Sequence, residues 1–79
     1  FGFNEEGTVA NQITPVDAFV LPIGKQAIEL QRIVYDSGGM AQLRLRIREG
    51  SRFTVIDIDP ISAARWGHAM VAWAEGEPS

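Results

Sequence analysis

LRLRIREGSRFTVIDIDP, residues 43–60, alternates Leu43, Leu45 and Ile47 with Arg44, Arg46 and Arg48, then turns and alternates again through Thr54, Ile56 and Ile58. Period-two alternation marks a strand with one face on a core and the other on solvent or a partner. The arginine row is therefore either a grip for phosphate or the wet side of a small sheet, and the register decides between them. With Gly50 and Ser51 at a hairpin tip, Glu49 pairs with Arg52, Ile47 with Thr54, Leu45 with Ile56, Arg44 with Asp57 and Leu43 with Ile58. That pairing makes the aliphatic face continuous, and a one-residue slip destroys it. It also sets Arg44 against Asp57 and Glu49 against Arg52, opposite-charge pairs that contribute about 0.2–1 kcal/mol each.

Upstream, Gln26–Tyr35 reads as another strand, with Ile28, Leu30 and Val34 beside Arg32 on one face. Ala27, Glu29, Gln31, Ile33 and Tyr35 lie on the other. The segment Asp36–Gly39 (DSGG) is a glycine-bearing turn, and a tip at Ser37-Gly38 places Glu29 opposite Arg46 and Gln31 opposite Arg44. Downstream, Asp59 suits a helix N-cap and Pro60 the first helical position, where no amide hydrogen is needed. Ala63, Trp66, Met70 and Trp73 then form one helical stripe, ended by Gly76 and Pro78. That stripe is expected to cover the aliphatic sheet face of Ile28, Leu30, Leu43, Leu45, Ile56 and Ile58.

Residues 1–25 hold glycines and prolines without a sustained period, and read as an irregular arm with one short strand at Asp17–Leu21, stopped by Pro22 and Gly24. The expected architecture is α+β: an antiparallel β-meander of three to four strands packed on one C-terminal α-helix. The arm occupies residues 1–25 and the meander and helix residues 26–79, in a single domain.

Seventy-nine residues without a cysteine cannot rely on disulfides, and a chain this size buries only roughly 60–65% of its unfolded surface. Oligomerisation or docking on a larger complex is the usual remedy. The outer side of the helix supports that expectation, because Ile61, Ala64, Val71 and Ala72 surround Arg65 and His68. A helix apolar on nearly all sides is commonly covered on more than one. With Phe1, Phe3 and Phe19 of the arm, these six residues form the candidate interface. No apolar run approaches the ~20 residues of a membrane span, so a cytoplasmic protein with no membrane association is expected.

The alternative is a single-stranded nucleic-acid binder, with Arg44, Arg46, Arg48, Phe53 and Tyr35 as an open sheet of guanidinium and aromatic groups. The formal net charge of −3 and the interleaved acids oppose it, so it ranks second. Asp57, Asp59 and His68 resemble a hard-metal cluster only at first sight, since both carboxylates have structural tasks and one histidine leaves too few ligands. PIGKQ, residues 22–26, lacks the glycine spacing of a phosphate loop, and no hydroxyl sits in a nucleophile setting. No catalytic residue, metal or cofactor is expected.

The segments RIREGSRFTVIDIDP and AARWGHAMVAWA resemble short bacterial proteins carrying a domain of unknown function, with the same Asp-Pro and Trp-Gly-x-x-Met-x-x-Trp-Ala ending. The resemblance spans residues 26–76 and implies no activity. In element order alone, strands followed by a C-terminal helix, the chain is similar to the PC4-type single-stranded nucleic-acid coactivators.

Overall fold

The computed structural model describes residues 10–36 and 38–78. Four strands, β1 (Ala10–Val20), β2 (Ala27–Tyr35), β3 (Gln42–Glu49) and β4 (Arg52–Ile58), precede one helix, α1 (Pro60–Gly76). The strands form one antiparallel sheet in the order β1-β2-β3-β4, each beside its neighbour in sequence. The α+β meander expected from the alternation is the fold observed.

The register of β3 on β4 follows the pairing that the aliphatic face demands: Leu43 meets Ile58, Arg44 meets Asp57, Leu45 meets Ile56 and Glu49 meets Arg52. A two-residue connection makes this possible. Gly50 has φ 62 while Ser51 is not left-handed, the pattern of a type II′ turn, whose twist matches that of the flanking strands. Between β2 and β3, Glu29 meets Arg46 and Gln31 meets Arg44, as a tip at residues 37–38 requires. The ladder nevertheless stops at Ile33–Gln42, so a longer loop joins these strands than a tight turn would.

Three expectations need correction. First, the segment read as an irregular arm contains an eleven-residue strand, β1, where a short one was placed at Asp17–Leu21. Thr14-Pro15-Val16 conceals it: proline cannot donate to a ladder, and β1 tolerates it as an edge strand whose register shifts between Pro15 and Asp17 and again between Ala10 and Gln12. Second, α1 does not lie over the aliphatic face. It touches the sheet at β3 and has no buried residue; Ala63 and Gly67, one turn apart, are its half-buried members. Trp66, Met70 and Trp73, assigned to the core, are 45%, 60% and 69% exposed. Third, the buried hydrophobic residue among those described is Ile33, on the arginine-bearing face, between Ile13 and Gln42. Ile28, Leu30, Leu43, Leu45, Ile47 and Ile58 remain half-buried.

The helix starts as its sequence dictates. The Asp59 carboxylate accepts from the Ser62 hydroxyl at 2.6 Å and the Ser62 amide at 3.1 Å, and Pro60 follows the cap. These bonds from Ser62, its hydroxyl first, hold the Asp59 carboxyl below its ordinary range. Asp59→Asn should keep the cap and Asp59→Ala lose it, lowering the unfolding midpoint and the helical circular dichroism of the alanine variant alone. At the hairpin, Gly50→Ala should destabilise by about 1–2 kcal/mol in urea unfolding, because a side chain must enter left-handed backbone.

Candidate functional site

Two surfaces dominate. On the arginine-bearing face the guanidiniums are largely engaged. Arg44 forks onto Asp57, with Nε to Oδ1 at 2.8 Å and Nη2 to Oδ2 at 3.0 Å, and Nη2 also donates to the Tyr35 hydroxyl at 3.1 Å. Arg46 donates to Glu29 at 2.9 Å and stacks 5.3 Å from the centroid of the Phe53 ring. The candidates Arg44, Arg46, Tyr35 and Phe53 thus come together as a structural network of side chains across β2, β3 and β4. Arg48 is exposed at the hairpin end and makes no ion pair among the described residues. It lines an open hollow of about 430 Å³ with Val20, Glu29, Arg46 and Phe53.

Glu49 and Arg52 face each other in register but form no ion pair; the Glu49 carboxylate accepts from the Gln26 amide at 3.1 Å. The expected cross-turn pair is replaced by a contact to Gln26, the residue before β2. Among the described residues no three His, Asp or Glu side chains gather as metal ligands.

The second surface is apolar. Every candidate interface residue on the helix, Ile61, Ala64, Arg65, His68, Val71 and Ala72, is exposed, with Ile61 at 81%. Sequence periodicity separated these from Trp66, Met70 and Trp73, yet the structure leaves both sets on the surface, so the exposed apolar area is larger than the pattern suggested. Phe19, opposite Ile28 on the aliphatic sheet face, is 47% exposed. Phe1 and Phe3 lie outside the described residues. Sequence reasoning did not single out Val55 on β4, 52% exposed, and it placed Ile56, 37% exposed, on a face that the helix would cover. Their signal was present, since β4 follows the last hairpin and, among the described residues, pairs with β3 on one side alone.

A four-stranded meander that ends in an exposed apolar helix defines a small α+β domain, with no buried charged side chain among the described residues. The chain belongs to a family described as a family of unknown function (DUF6967), matched over residues 10–76. That span agrees with the resemblance to a domain of unknown function and extends it over all of β1. No curated protein and no solved structure matches the chain. No described helix is long and apolar enough to cross a membrane.

The Arg44 fork holds the Asp57 carboxyl below its ordinary range, against a weaker upward push from burial. A depressed carboxyl contributes stability above its unfolded pKa of about 3.9, and that contribution is lost as pH falls through the folded value. Asp57→Asn should therefore flatten the loss of stability between neutral pH and pH about 3 in urea unfolding. At neutral pH it should cost no more than about 1 kcal/mol, because the pair is 22% and 28% exposed.

Proposed function

We propose that this protein is a non-enzymatic interaction module, a homodimer or a small accessory subunit of a larger complex. One observation carries the reading: the helix presents Ile61, Trp66, Met70, Val71 and Trp73 to solvent and buries none of its residues. Scattered surface apolar residues are ordinary, but a helix that exposes large apolar residues on two sides, the stripe of Trp66, Met70 and Trp73 and the outer side of Ile61 and Val71, calls for a cover. The two tryptophans and the methionine of that stripe are residue types enriched in interface cores. The aliphatic sheet face adds Phe19 and Ile56 to the same need.

The second reading, a single-stranded nucleic-acid binder, draws on Arg48 and the 57% exposed Phe53 beside the open hollow. It is weaker because Asp57 and Glu29 already occupy the donors of Arg44 and Arg46, and because the net charge is −3. Its test is oligonucleotide binding at low salt, abolished by Arg46→Glu. An absence of low-salt binding removes it.

For the interaction module, the molar mass from light scattering should exceed the chain's 8.7 kDa at micromolar concentration or with its partner present. Tryptophan emission should shift to the red as assembly is reversed by dilution, since Trp66 and Trp73 then meet water. A cooperatively folding monomer at high concentration that has the same emission at every dilution and co-purifies with no other protein refutes the reading.

A further inference from the structure

We infer that the partner is a second copy of this chain, joined antiparallel along β4 to make one continuous eight-stranded sheet; this rests on the interaction-module reading and names its occupant and seam. The two edges of the sheet are not alike. β1 is blunted: Pro15 removes a donor, and two register shifts bend the strand. β4, RFTVIDI, has neither proline, lysine nor bulge over seven residues. An edge of that kind is a template for another strand.

The hairpin fixes which main-chain groups point outward. In a two-residue hairpin the flanking residues, here Glu49 and Arg52, form a hydrogen-bonded pair, and such pairs alternate along the ladder. Arg52, Thr54, Ile56 and Ile58 therefore bond to β3, while Phe53, Val55 and Asp57 direct N–H and C=O away from the sheet. A two-fold axis through Val55 uses all three, pairing Val55 with its counterpart and Phe53 with the partner's Asp57. It keeps the two Asp57 carboxylates apart, whereas a seam centred on Asp57 would oppose them. It also sets Thr54 against Ile56 on the aliphatic face, which then runs unbroken across both copies.

A seven-residue seam is about 23 Å long and alone falls short of the ~1,200–2,000 Å² that stable interfaces bury. The rest lies alongside. Only Asp59 separates Ile58 from Pro60, so each α1 begins at one end of the seam with its tryptophans uncovered. The four tryptophans of two copies, about half exposed, offer on the order of 500 Å² towards that total.

The test is the molar mass of the full chain against concentration, for wild type, Val55→Pro, Val55→Lys and Val16→Lys, with circular dichroism on each. Val55→Pro removes an outward amide and no β3 bond, and Val55→Lys adds charge at a 52% exposed side chain. The expected result is a wild-type dimer, dissociation at least tenfold easier for both Val55 variants, and no change for Val16→Lys on the opposite edge. Should the Val55 variants fail to fold, Val55→Cys decides: the chain has no other cysteine, and oxidation should link two copies through residue 55. A wild-type dimer that Val55→Lys or Val55→Pro leaves intact, that Val55→Cys cannot link, or a wild-type chain that assembles only with a different protein, overturns this seam but not the interaction module. A folded monomer without any partner overturns both.

Discussion

Everything in this molecule depends on the alternation along β3. Each residue from Leu43 to Arg48 has a neighbour on β2 and another on β4, so its parity binds the positions of both flanking strands. Leu43, Leu45 and Ile47 cannot share a face unless Arg44, Arg46 and Arg48 share the other. Asp57 and Glu29 fall within reach of those arginines because the same parity holds across the hairpins. The ion pairs are thus consequences of the aliphatic register, and they add a penalty to any slip away from it. An arginine row that looks like a phosphate ladder in one strand becomes, across three, two ion-paired guanidiniums, Arg44 and Arg46, with Arg48 left exposed at the hairpin end.

That constraint also explains how much could be read from the sequence. The pairs Arg44–Asp57, Leu45–Ile56, Glu29–Arg46 and Ile28–Ile47 are local in the chain, joined by short connections with glycines where the backbone turns, and so they follow from parity alone. The cap Asp59-Pro60 was equally legible, because its hydrogen bonds reach only to Ser62. β1 was not: Pro15 breaks both the alternation and the ladder, and what restores the strand is β2 beside it, which no local pattern records.

The helix marks a different limit. Periodicity told which of its residues share a face, and Ala63, Trp66, Met70 and Trp73 do share one. It did not tell what that face meets. The inference that an apolar stripe must cover the nearest apolar sheet assumes that a chain satisfies itself, and here Trp66, Met70 and Trp73 of the stripe stay exposed. The candidate interface was therefore legible in kind, as apolar helix surface, but too small in extent.

The order β1-β2-β3-β4 has one more consequence. Each strand pairs only with the strand next to it in sequence, so no pairing waits for a distant segment to arrive. Contact formation is local, and loop closure is inexpensive at every step. As the chain leaves a ribosome, the β2–β3 hairpin can close before β4 has emerged, and β4 can dock before the helix exists. The last strand to join is then the one whose outer edge faces the crowd of other nascent chains, which makes the moment of its exposure, as well as its sequence, part of how this protein meets its neighbours.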